Sequence, residues 1–72
     1  MNGTNGTTIE LNGEPRPIRG GATVRELVEV ELRIASERVA VELNRALLPR
    51  AQWDRVLAGG DRLEIVTFVG GG

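Results

Sequence analysis

An α+β domain, in which one sheet is covered on one face by one main helix, is the fold class the sequence predicts, and three observations predict it. Two segments, 7–18 and 39–48, each pair an alternating run with a turn and a second short run. Between them stands one stretch with helical spacing behind a capping signal. The last alternating run, 62–69, is the longest and leads into three glycines. With 72 residues there is room for one sheet and one helix, near the lower limit for a core without metal or disulfide support.

The first strand is expected over 7–11, with Ile9 and Leu11 on one face and Thr8 and Glu10 on the other. Asn12-Gly13 is the strongest short-range hairpin signal in the chain. The return segment 14–18 carries Pro15 and Pro17, which donate no ladder hydrogen bonds and so assign it to a sheet edge. Gly20-Gly21-Ala22 ends that strand. Thr23-Val24-Arg25-Glu26 then reads as a capping box, with the Thr23 hydroxyl and the Glu26 carboxylate satisfying backbone donors reciprocally. From Val24 onward, Val24, Leu27, Val28 and Leu32 form an apolar stripe that covers the sheet, while Arg25, Glu26 and Glu29 face solvent.

Val39, Val41 and Leu43 alternate inward, and Asn44-Arg45 turns the chain into the short apolar run Ala46-Leu47-Leu48. Pro49 stops pairing and opens one helical turn in which Trp53 packs down onto the domain. After the Gly59-Gly60-Asp61 turn, the final strand sets Leu63, Ile65 and Thr67 on one face and Glu64, Val66 and Phe68 on the other. Both faces are apolar. Either Val66 and Phe68 lie on an open face, where exposed apolar surface marks binding sites, or a loop or Trp53 covers them.

Composition narrows the function classes. Apolar residues make up 40% and charged residues 26%, which is globular rather than disordered. The net charge is -1, and the nine basic residues, all arginine, are interleaved with acids from Arg16 to Arg62, so nucleic acid and anionic membranes are not expected partners. No stretch reads as a transmembrane helix and Met1 to Gly6 does not read as a secretion signal, so a cytoplasmic location is expected. Cysteine, histidine and lysine are absent, which removes disulfides, thiolate and histidine-assisted nucleophiles, Schiff bases and nearly every zinc constellation. An independent enzyme is therefore not expected.

What remains for covalent chemistry is hydroxyls, scattered carboxylates and the terminal segment Val69-Gly70-Gly71-Gly72. Three glycines lack Cβ atoms, reach roughly 10 Å when extended and can thread a narrow channel. Seen alone, the same tail also reads as a frayed terminus.

The order hairpin, helix, second pair, short helix and final strand resembles the β-grasp fold of ubiquitin-like proteins. More specifically, Ile9-Glu10-Leu11-Asn12-Gly13, Thr23-Val24-Arg25-Glu26-Leu27, Val39-Ala40-Val41-Glu42-Leu43-Asn44, Pro49-Arg50-Ala51-Gln52-Trp53, Gly60-Asp61-Arg62-Leu63-Glu64-Ile65-Val66 and the terminal glycines resemble the sulfur-carrier family of thiamine thiazole synthesis, the ThiS family. The P-R-x-x-W segment is the most discriminating part. Arg45 departs from the pattern, since glycine more often follows the asparagine there, and the leader 1–6 is extra.

The resemblance implies a mixed four- to five-stranded sheet with the last strand central and parallel to the first, one main helix and a short second helix. The expected organisation is a mobile leader over 1–6, the β-grasp domain over 7–69 and a flexible tail over 70–72. It also implies that the Gly72 carboxylate is adenylated by a partner enzyme using ATP and magnesium, the carrier itself holding no cofactor. A persulfide donor such as a cysteine desulfurase then supplies sulfur, and the resulting thiocarboxylate serves thiazole synthase. Gly70 and Gly71 would thread the partner's channel, and Val66, Phe68 and Arg62 are the expected docking residues. Arg50 is expected to solvate the short helix rather than to bind. The free carrier is expected to be a monomer. A carrier for molybdopterin or cysteine synthesis, a ubiquitin-like protein modifier and a β-grasp interaction module stay open as alternatives.

Overall fold

Alternation about Ile9 and the Asn12-Gly13 pair produce the first hairpin, strands β1 (Gly6–Leu11) and β2 (Glu14–Arg19), in the computed structural model, which describes residues 6–68. The expectations placed on the first five leader residues, on Val69 and on Gly70, Gly71 and Gly72 lie outside the described residues. Asn12 and Gly13 have φ of 50° and 87°, the left-handed pair that matches a two-residue hairpin turn to strand twist. Pro15 and Pro17 face Glu10 and Thr8 on the outermost strand, as their missing donors require.

The helix differs from expectation. Instead of one main helix and a second short one, the described residues form a single short helix, α1 (Glu26–Glu31), together with 3₁₀ turns at Ser36–Arg38 and Arg50–Gln52. The Leu27 amide still donates to the Thr23 carbonyl at 3.0 Å in α fashion, but the Leu32 amide reaches back to Leu27 at 2.9 Å, a five-residue step. This wide winding has a physical reason. It turns Leu32 and Ile34 back toward the core beside Leu27 and Val28, and frees Glu31 to approach Arg16 at 3.6 Å. Val28 and Val30 are β-branched, Glu31 opposes the helix dipole at the C-terminal end and no basic residue stands in the last turn, so little holds the tighter winding. Arg33, with φ of 57°, then stops the helix in the left-handed conformation.

The capping box forms by half. The Thr23 hydroxyl accepts the Glu26 amide at 3.1 Å, but the Glu26 carboxylate turns to Arg19, whose Nη2 lies 2.6 and 2.7 Å from its two oxygens. A guanidinium gives that carboxylate a charge-assisted bond that a backbone amide cannot match. Next to the cap, the Val24 amide donates to the Arg55 carbonyl at 3.1 Å.

Strands β3 (Val39–Leu43) and β4 (Ala46–Leu47) form the second hairpin, and β5 (Arg62–Thr67) closes the sheet in the order β2-β1-β5-β3-β4. β5 is central, parallel to β1 through Glu10 and Arg62 and antiparallel to β3 from Val39 opposite Thr67 to Leu43 opposite Leu63. This is the mixed five-stranded sheet expected.

Val24, Leu27 and Val28 pack from the helix onto Ile9, Val41 and Leu63 from the sheet, so the predicted stripe is the core face. Trp53 is 1% exposed, and its Nε1 donates to the Leu48 carbonyl at 3.1 Å, which satisfies the polar end of a buried indole. Pro49 caps the turn beneath it in an extended conformation rather than occupying its first helical position.

Candidate functional site

The site is built around β5, because the glycine segment follows it in the chain. Both hairpin turns hold this strand with an asparagine. On one side the Asn44 amide donates to the Arg62 carbonyl at 2.7 Å, and the Asn44 Oδ1 accepts the Arg62 amide at 2.9 Å. Asn44 Nδ2 also donates to Asp61 Oδ1 at 3.1 Å. On the other side the Asn12 amide donates to the Leu63 carbonyl at 2.9 Å, and Asn12 Oδ1 accepts the Ile65 amide at 2.8 Å. Asparagine suits both roles, since it tolerates positive φ and carries a short carbonyl. Arg45 takes the second position of the Asn44 turn at φ 72°, so the turn keeps the hairpin geometry that glycine would give more easily.

Strand alternation puts Arg62, Glu64, Val66 and Phe68 on the face away from the helix. Val66 and Phe68 are 52% and 56% exposed, which decides between the two readings of that face in favour of the open one. Arg62 is exposed on the same face, its Nε 3.6 Å from Glu10 Oε1. Phe68 follows Arg62 by six residue steps of extended chain, about 20 Å. The three predicted docking residues therefore form a stripe along β5 rather than a cluster.

The Arg62 end borders a cavity of about 200 Å³ lined by Glu10, Glu42, Arg45, Arg62, Leu63 and Glu64. Glu42 lies directly opposite Glu64, a like-charge pair that costs stability unless the neighbouring arginines offset it. At the Phe68 end an apolar groove of about 300 Å³ runs between Phe68, Val39, Val41, Leu47, Leu48 and Trp53. Leu47, 68% exposed, is the residue the sequence analysis missed, because a short apolar run beside a turn reads as core. Arg50 is exposed on the rim of the same groove.

The perturbed ionisations lie elsewhere, on the helix side. The hydrogen bonds from Arg19 hold the Glu26 carboxyl below its usual range, and the bond to Asp54 raises Arg25. Arg25 Nε reaches Asp54 at 3.0 Å and its Nη2 donates to the Arg50 carbonyl at 3.2 Å, while its guanidinium stands 6.0 Å from the Trp53 ring centroid. Arg25 thus fastens the P-R-x-x-W turn to the helix start. Among the described residues no three side chains are grouped to hold a metal ion, and no helix is long and apolar enough to cross a membrane.

The site thus combines a central strand held on both sides, an open apolar stripe on it and a following glycine segment. The model of the ThiS family matches residues 9–72. This chain belongs to the ThiS family. The sulfur carrier protein ThiS of Thermus thermophilus is 44% identical over 65 residues, spanning 89% of this chain and 98% of that protein. The thiazole synthase of Paramagnetospirillum magneticum is 43% identical over 65 residues, again 89% of this ThiS-family chain but 20% of that protein. The thiazole synthase of Magnetococcus marinus matches over the same shares, so the chain spans about one fifth of the length of these two relatives. A crystal structure of a thiamine biosynthesis protein (ThiS) from Geobacter metallireducens superposes with a TM-score of 0.74 at 33% identity, covering 92% of this chain and all of that one. The ThiS resemblance carried by the sequence motifs and the ubiquitin-like mixed sheet are both borne out.

Proposed function

We propose that this chain is the sulfur carrier of thiamine biosynthesis, a cytoplasmic co-substrate of other enzymes rather than a catalyst. The family match running from Ile9 through Gly72 carries the reading, and the likeness to a sulfur carrier along nearly its whole length supports it. The carrier acts through the Gly72 carboxylate. A carboxylate would have to expel oxide to be acylating, so it is first activated: one of its oxygens attacks the α-phosphate of ATP on an adenylating partner, with magnesium held there, and pyrophosphate leaves. The terminal sulfur of a persulfide, such as a cysteine desulfurase carries, then attacks the acyl carbon and AMP leaves. A thiol cleaves the resulting S–S bond, giving the Gly72 thiocarboxylate and a disulfide.

Thiazole synthase is the acceptor. The similarity of a segment of two thiazole synthases to this chain favours it over molybdopterin or cysteine synthesis as the destination. Gly70 and Gly71 pass through the partner's channel without a Cβ to obstruct it. Val66 and Phe68 dock on the partner by their exposed apolar surface, and Arg62, at the far end of the stripe, adds a charged contact that fixes orientation.

The test is ATP–pyrophosphate exchange catalysed by the adenylating partner. Exchange that depends on this chain, and is lost when Gly71 and Gly72 are removed, supports the reading. Exchange that persists with the truncated chain overturns it.

A further inference from the structure

Hydrogen bonding along β5 leaves one side of its far end open. The Asn44 amide donates to the Arg62 carbonyl and the Phe68 amide to the Arg38 carbonyl at 2.9 Å, so the even-numbered residues of β5 bond to the β3 side. The odd-numbered residues point to β1. There the Glu10 amide donates to the Asp61 carbonyl and the Asn12 amide to the Leu63 carbonyl, after which β1 turns away at Asn12-Gly13. The Asn12 side-chain oxygen makes one more rung by accepting the Ile65 amide. Beyond it strand alternation turns the Ile65 carbonyl and the Thr67 amide away from β3 and past the last β1–β5 pair, Leu11 and Leu63, and Thr67 is exposed.

A central strand is ordinarily paired on both sides; a donor and an acceptor left facing outward are a template for another strand. We infer that the adenylating partner adds an extended segment to β5 at this open edge, accepting the Thr67 N–H and donating to the Ile65 carbonyl. The inference rests on the proposed carrier function and names how the partner grips the carrier. The occupant is an extended main-chain segment because the vacancy is a main-chain one, two residues long and flanked by β geometry. It also lies next to the exposed side chains of Val66 and Phe68, and only two residues before Val69. Main-chain pairing at Thr67 fixes the direction in which the chain leaves the sheet, while the side chains of the stripe supply apolar contact.

Because Thr67 lies opposite Val39 without bonding to it, its amide can be removed without breaking the fold. The chain is short enough to assemble by peptide ligation with the Thr67 amide replaced by an ester, keeping the side chain. Binding to the adenylating enzyme is measured by calorimetry, with circular dichroism to verify the fold, and Thr67→Pro serves as a genetically encoded second variant. The expected result is a Kd raised about fivefold by the ester, the worth of one net hydrogen bond, with a folded circular dichroism spectrum and a Tm lowered only by the weaker Val66 ester carbonyl that faces Ala40. Amide exchange on the wild-type complex should show Thr67 becoming protected.

An unchanged Kd for a folded ester variant, with Thr67 exchanging freely in the complex, overturns the edge pairing and leaves the carrier function standing. A wild-type chain that neither binds the enzyme nor supports pyrophosphate exchange overturns both. A concentration-dependent dimer in sedimentation that the ester abolishes would assign the edge to a second copy of this chain and overturn the inference.

Discussion

Replacing Asn12 by glycine isolates a single hydrogen bond. Asn12 sits at φ 50°, which glycine adopts without strain, so the substitution removes the side-chain carbonyl that accepts the Ile65 amide at 2.8 Å and leaves the turn geometry available. An exposed amide–carbonyl bond contributes about 1 kcal/mol net, and the freed Ile65 amide can recover part of that from water. A domain of this size has a total stability of roughly 4–11 kcal/mol by the usual per-residue scale, so the loss is a visible fraction. The expected fall in Tm is about 4–8 °C. Asn12→Asp, which keeps an oxygen in the same place, should lose less. The assay is thermal melting with residue-resolved amide exchange, in which the Ile65 amide should lose protection more than its neighbours on β3. Unchanged Ile65 protection in Asn12→Gly would refute the claim that this side chain extends the β1–β5 ladder.

Arg45→Gly should raise stability by about 0.5–1 kcal/mol in denaturant melts, since a non-glycine left-handed residue costs about 1–2 kcal/mol and the added chain entropy of glycine offsets part of the gain. The hydrogen bonds from Arg19 lower the folded-state pKa of Glu26 below its ordinary carboxylate value, so its contribution is present above its unfolded pKa and is lost as the pH falls through the lower folded value. The stability gap between wild type and Glu26→Gln should accordingly close on acidification, and a gap that widens would contradict the pairing. Phe68→Ala should weaken binding to the adenylating partner by roughly 1–2 kcal/mol in calorimetry while leaving folding stability within about 0.5 kcal/mol. Gly71→Val should slow adenylation tenfold or more in pyrophosphate exchange, with an unchanged circular dichroism spectrum, because the added Cβ branches misplace the carboxylate in the channel.

Elements whose residues act locally were legible in the sequence. Asn12-Gly13 announced its turn, Pro15 and Pro17 announced an edge, and the stripe Val24, Leu27, Val28 and Leu32 announced the face that covers the sheet. What was not legible depends on partners distant in sequence. Glu26 had two acceptable uses for its carboxylate, and only the arrival of Arg19 from β2 decided between them. The wide winding of α1 follows from where Leu32 and Ile34 must reach the core, a tertiary demand that overrode helical periodicity. On the open face, alternation correctly grouped Arg62, Val66 and Phe68, but periodicity carries no information on what covers a face. The exposure of Leu47 and the vacancy at Thr67 likewise depend on β4 stopping after two residues and on β1 turning away at Asn12.

The central claim is that this chain carries sulfur on Gly72, and intact mass spectrometry tests it most directly. The chain is incubated with the adenylating enzyme, ATP, magnesium and a persulfide donor whose activity is shown on an authentic carrier, then weighed whole and as its C-terminal peptide. The expected product is a species heavier by the difference between one sulfur and one oxygen, with the gain confined to Gly72 and absent when ATP is withheld. A chain that keeps its original mass beside a fully converted authentic carrier would contradict it.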